Sequence, residues 1–163
     1  MRTLVGRYRG WALVLAGLLL PATGVVAAPT IDKKTLSLEA AQKIASAALA
    51  AARERGVGVV VVVVDDGGQL ILLQRMDEAQ VASVNVGIGK ARTAAIYRRP
   101  SRVFEEQIRN GRVAALALAD ATPLQGGVPV VLDGKVIGAV GVSGDTPQVD
   151  EDIAIAAARA YLP

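Results

Sequence analysis

From residue 36 onward the apolar positions follow two rhythms, and the switches between them mark out the elements. Ala40, Ile44, Ala47, Ala48 and Ala51 recur at helical spacing behind Ser37, which suits an N-cap with Glu39 in the first turn, and Gly56 supplies the stop. Small side chains dominate that stripe, so this helix is expected to lie close to its neighbour. Val57 to Val64 is almost unbroken valine, the pattern of a strand buried on both faces or set against another subunit. Asp65-Asp66-Gly67-Gly68 predicts a hairpin turn, and Leu70 to Leu73 the returning strand. Residues 79–97 revert to helical period through Val81, Val84, Ile88, Ala91 and Ala95, and Pro100 ends that segment. Ser101 suits the cap of a short helix carrying Val103, Phe104 and Ile108, closed near Asn110-Gly111.

The next stretch, Val113 to Ala119, fits either period and is read as a strand because the turn-rich Pro123 to Gly127 follows it. Val128 to Leu132, Asp133-Gly134 and Lys135 to Val142 form a second hairpin, the Asp-Gly pair suiting a type I′ turn. An alanine-rich helix from about Val149 to Tyr161 closes the chain. Asp150, Glu151 and Asp152 fall in its first turn, where a helix N-terminus favours negative charge. Hairpins rather than strand–helix–strand crossovers join most strands. The expected fold is therefore α+β, an antiparallel sheet covered by helices.

Residues 1–28 have a different grammar. Arg2, Arg7 and Arg9 precede an uncharged apolar run from Trp11 to Leu20, Pro21 breaks it, and small residues follow, the order of a secretory signal. Cleavage after Ala27 is favoured over cleavage after Ala28, which would leave Pro29 at the new terminus. Ten apolar residues are about half of a bilayer crossing, which argues against a retained anchor. The expected location is periplasmic or secreted, with residues 29–35 a short lead-in and one domain over 36–162. The full chain has 18 Lys and Arg against 15 Asp and Glu; without the three leader arginines the balance is zero. The basic character belongs to the leader and is no sign of a nucleic-acid partner.

Composition narrows the chemistry. With no histidine and no cysteine, the chain lacks the commonest metal ligand, the usual acid–base group near neutral pH and the best nucleophile. A binding domain is easier to defend than a self-sufficient enzyme, and no metal held directly by protein ligands is expected. Asp65 and Asp66 are read as turn residues that serve their own backbone rather than as a carboxylate pair.

Four segments resemble one known family: Val62 through Leu70, with Asp65-Asp66-Gly67-Gly68 at its centre; Gln74-Arg75-Met76-Asp77; Lys90-Ala91-Arg92-Thr93-Ala94; and Gly126-Gly127-Val128-Pro129-Val130 through Gly138 to Gly144. Together they look like the GlcG/HbpS, or haem-binding, family, over about Leu36 to Leu162. The resemblance implies a profilin-like domain with a five-stranded antiparallel sheet, helices on both sides, and assembly into dimers or larger homo-oligomers. Some members are secreted haem binders, and others are encoded beside glycolate or diol metabolism. The implied function is binding of haem or a related tetrapyrrole, non-enzymatic in its own right. An enzyme or accessory factor for a small carboxylate is the alternative, with Arg75, Lys90 and the glycine loops as its anion site, and a structural oligomeric partner a third. Where haem-binding relatives use a histidine on iron, this chain has none. Met76, Tyr97 and Tyr161 remain as thioether and phenolate ligands, or the group is held by apolar contact with Arg or Lys on its propionates.

Candidate ligand-binding residues follow. Arg75 suits a carboxylate or propionate, Asp77 orients it or caps the next helix, and Met76 meets an apolar ligand face; the structural alternative is a salt-bridged turn with Met76 in the core. Lys90 and Arg92 suit an anion, with Lys90 expected off the apolar stripe, toward a rim or subunit boundary. Gly126, Gly127, Ser143 and Gly144 offer backbone amides to a carboxylate, or else serve only as tight turns. Arg98, Arg99, Arg102, Arg109 and Arg112, interrupted by Glu105 and Glu106, read as a solvated or inter-subunit face.

Overall fold

A computed structural model describes residues 28–161. The signal segment expected over 1–28 lies outside the described residues except for Ala28, as does Leu162. From Lys33 onward the chain forms one unit: α1 (Leu38–Glu54), β1 (Val60–Asp65), β2 (Leu70–Arg75), α2 (Ser83–Ile96), α3 (Arg102–Arg109), a single 3₁₀ segment (Val113–Ala117), β3 (Gly127–Leu132), β4 (Lys135–Ser143) and α4 (Pro147–Arg159). The strands form one antiparallel sheet in the order β2-β1-β4-β3.

The valine run explains the layering. A strand sends successive side chains to opposite faces. Val59, Val61 and Val63 pack with Ile44 and Ala48 of α1 and Ile153 and Ala157 of α4, while Val60, Val62 and Val64 pack with Ala91, Ala94 and Ala95 of α2. All six valines are fully buried. Unbroken apolar sequence is thus what a central strand with helices on both faces requires. The hairpins form as expected. Asp65 Oδ1 accepts from the N–H groups of Gly67 (2.9 Å) and Gln69 (2.8 Å), and Asp133 and Gly134 both take positive φ (51° and 73°), as a type I′ turn demands. Lys33 Nζ lies 2.5 Å from Asp66 and holds its carboxyl below the ordinary range. Ser37 caps α1 by accepting from Ala40 N at 3.2 Å.

Two expectations are corrected. The sheet has four strands among the described residues, not five. Val113 to Ala119 is no strand: Val113–Ala117 winds as a 3₁₀ turn beside α3, with Val113 and Leu116 exposed. Alanine and leucine favour the i→i+3 closure seen at Ala115 N to Arg112 O over an extended chain with no strand to pair with.

The layer that positions the polar residues is α2. A Cβ on Gly141 would lie 2.7 Å from Ala91 N, and one on Gly127 would collide with the Lys90 carbonyl, so α2 rests backbone against backbone on β4 and β3. That close approach fixes where the Lys90 side chain must go.

Candidate functional site

Two clefts lie near the end of the sheet where β2 and β4 terminate, and they share no lining residue. The first, of about 470 Å³, is lined by Leu49 and Arg53 of α1 and by Gln74, Arg75, Met76 and Asp77 where β2 ends. Its volume is within the roughly 300–1,000 Å³ usual for small-molecule sites. β2 is an edge strand, so its last side chains are not covered by a further strand, and Arg75 is exposed. Met76 is half-buried, packs against both apolar layers, and is anchored by its N–H on Val59 O at 3.0 Å. Among the described residues neither Arg53 nor Arg75 forms an ion pair. With Asp77 the formal charge of the lining is +1. An apolar wall, a soft sulfur atom and two free guanidinium forks suit a ligand with an apolar body and carboxylate arms.

The second cleft, of about 170 Å³, lies on the α2 side, lined among others by Gln80, Ser83, Lys90, Gln125, Ser143, Gly144, Asp145 and Asp150. Lys90 corrects the expectation of a rim position: it is only 4% exposed. Its ammonium donates to Asp150 Oδ2 at 2.7 Å and to Val142 O at 3.0 Å. It passes Gly126, whose φ of +122° and missing Cβ leave the path open; a Cβ there would lie 2.9 Å from Lys90 Nζ. Asp150 Oδ1 also accepts from Asp145 N at 3.0 Å. Burial pushes the Asp150 carboxyl above the ordinary value of 3.8, outweighing the downward pull of Lys90 and the backbone donors.

The other candidates separate. Arg92 lays its aliphatic stem over Gly68 in the β1–β2 turn, at the far end of the sheet from Arg75. Tyr97 donates its hydroxyl to Ala119 O at 2.7 Å and stacks edge-on against Phe104, outside both clefts. Tyr161 packs against the α1–α4 core. Gly127 spends its N–H on Ser101 Oγ at 2.8 Å, so it offers no free amide to an anion. Arg102 of the basic tract pairs with Glu106 (3.0 Å) and Glu151 (3.1 Å), and Arg99 lies over the Phe104 ring. A single carboxylate site built from Arg75, Lys90 and the glycine loops therefore does not form: the arginine and the lysine line different clefts, and the lysine is already neutralised. Sequence reasoning missed Arg53, which only the packing of α1 beside β2 brings to Arg75. It also missed Asp150 and Glu151 as buried partners, because nothing local distinguishes them from first-turn acids. No helix of the described residues is long and apolar enough to cross a membrane.

Comparison with known proteins agrees with this architecture. The family model described as "Haem degrading protein HbpS-like" matches residues 36–159. Protein GlcG of Escherichia coli is 45% identical over 106 residues, covering 63% of this chain and 79% of GlcG. The crystal structure of a double mutant of HbpS from Streptomyces reticuli superimposes with a TM-score of 0.74 at 32% identity, covering 85% of this chain and 97% of that one. The PduOC:heme complex superimposes with a TM-score of 0.70 at 28% identity, covering 77% and 94%. The four segments singled out in the sequence fall within the matched region and build the β1–β2 hairpin, α2 and the β3–β4 hairpin. The chain belongs to the GlcG/HbpS family.

Proposed function

We propose that this protein binds haem or a related tetrapyrrole, without catalysis of its own, in the groove between α1 and the end of β2. The observation that carries the reading is the two guanidinium groups of Arg53 and Arg75, without ion-pair partners among the described residues, beside the half-buried Met76 in a cleft of about 470 Å³. The names of two similar structures, HbpS and the PduOC:heme complex, point to the same ligand class. Arg53 and Arg75 would hold the propionates, Leu49 would meet the macrocycle, and the Met76 thioether is of the type that binds haem iron. The bound group would supply redox-active iron; the chain's own part is to bind, orient and partly cover it.

Titration with hemin, followed at the Soret band, tests this. Saturable one-to-one uptake is expected, weakened at least about tenfold by Arg53→Ala or Arg75→Ala, since a hydrogen bond to a charged group is worth about 1.5–3 kcal/mol and about 1.4 kcal/mol is tenfold. Met76→Ala should move the Soret maximum, whereas Tyr97→Phe should not. Non-saturating uptake, or a double arginine variant that binds as the parent does, would reject the groove.

The same reading includes a profilin-like domain that is exported, self-associates and has no nucleic-acid partner. It is supported by the signal-like residues 1–28, the zero net charge after residue 28 and the exposed Val81, Val113 and Leu116. Protein from the periplasm or medium should begin at Ala28 or Pro29 and scatter light as a dimer or larger. An intact Met1 on cytoplasmic protein, or a strictly monomeric mass, would reject the corresponding part.

A further inference from the structure

We infer that the second cleft, over Lys90 and Asp150, is a separate binding site for a small, electrically neutral molecule bearing hydroxyl and carbonyl or amide groups. Its inner wall is polar and incompletely satisfied. Ser83 at the start of α2 and Ser143 at the end of β4 are each only 5% exposed and both line the cleft; among the described residues neither is a side-chain partner of Lys90, Gln80 or Asp150, and neither hydroxyl is a sealed, unpartnered atom, so what remains accessible of each opens into the cleft. An ammonium carries three donors. Lys90 spends two, on Val142 O and Asp150 Oδ2, and the third has no acceptor among the described residues. Gln80 and Gln125 stand in the same lining; their amide nitrogens each donate once to the protein, to Gly144 O (3.4 Å) and Glu151 Oε2 (2.7 Å), and each keeps a second N–H on that nitrogen. Donors that open into a narrow cleft give up part of their hydration to any occupant, so a cleft of this composition favours oxygen-bearing occupants that return those hydrogen bonds.

Charge and size then select among them. Lys90 is offset by Asp150 at 2.7 Å, and Asp145 in the same lining tips the formal balance to −1. An anion would meet two carboxylates and a lysine already neutralised. A cation would have to sit against the buried ammonium. A neutral molecule meets neither penalty and satisfies serine hydroxyls, ammonium and carboxylate together. The cavity of about 170 Å³ lies below the roughly 300–1,000 Å³ usual for small-molecule sites, so a compact molecule of a few carbons suits it.

Two pairs of probes matched in shape and differing in charge decide the matter: lactamide against lactate, and glycolamide against glycolate, titrated into the full protein with amide shifts read by two-dimensional NMR. At least one neutral probe should saturate, moving Ser83, Ser143, Gly144 and Asp145 together. Its affinity should exceed that of the matching acid at least tenfold and should fall at least tenfold in Ser83→Ala and in Ser143→Ala. These substitutions remove one oxygen each and leave the buried pair intact; an unchanged spectrum away from the cleft shows that the fold is kept. An acid that binds as tightly as its amide would overturn the inference in favour of an anion site. So would binding that ignores both serines. Failure of both amides to saturate would leave the cleft to water and overturn it equally. Because Arg53 and Arg75 lie in the other cleft, hemin uptake in the serine variants reports separately on the groove.

Discussion

The two clefts use the same residue types in opposite ways. In the groove at the end of β2, Arg53 and Arg75 are exposed and have no ion-pair partner among the described residues, and the only acid in the lining is Asp77. On the α2 side, Lys90 is buried and its charge is consumed by Asp150. A free surface guanidinium contributes little to stability and is available to a ligand, while a buried ammonium with its counter-ion belongs to the fold first. The basic residues that recognise an anion are therefore the ones the fold leaves unused. For the same reason the sequence-level grouping of Arg75 with Lys90 fails.

The largest test of that contrast is to break the buried pair. Lys90→Met strands the Asp150 carboxylate in a site where it is 3% exposed, and should cost about 3–5 kcal/mol in urea denaturation. Lys90→Met with Asp150→Leu should recover most of the loss, because replacing both charges with apolar groups removes the desolvation cost. If the single variant is as stable as the parent, the pair is not a structural element. By comparison, Arg53→Ala and Arg75→Ala should change stability by less than about 0.5 kcal/mol while weakening hemin binding, so affinity and stability respond to different arginine and lysine positions.

A smaller effect concerns pH. The folded state holds the Asp150 proton more tightly than the unfolded chain, because burial outweighs the Lys90 attraction. The contribution of Asp150 is therefore fully present below about 3.8 and declines as pH rises through the raised folded value. Stability of the parent relative to Asp150→Asn should fall with rising pH across that window, opposite in sign to an ordinary paired surface carboxylate such as Asp66. Denaturation curves at several pH values check it; a difference that grows with pH would mean that Lys90 dominates.

Local signals determined much of this protein. The valine run, the two Asp-Gly turns and the Ser37 cap each act through contacts within a few residues or through strict alternation, so β1, both hairpins and α1 were readable from the chain. The groove was half legible: Arg75, Met76 and Asp77 are consecutive, but Arg53 reaches them only because α1 packs beside β2. Val113 to Ala119 misled because its alanines and leucines suit either period, and the choice depended on whether a strand stood ready to pair. Lys90 was legible as a charge in an apolar helix, but its role was set 60 residues away at Asp150 and by the absence of side chains at Gly126 and Gly127. Most elements and the family could be read from the chain, because periodicity, turns and caps are short-range. Which charges are spent and which are free was settled by packing, because pairing and desolvation depend on what the fold brings together across the sheet.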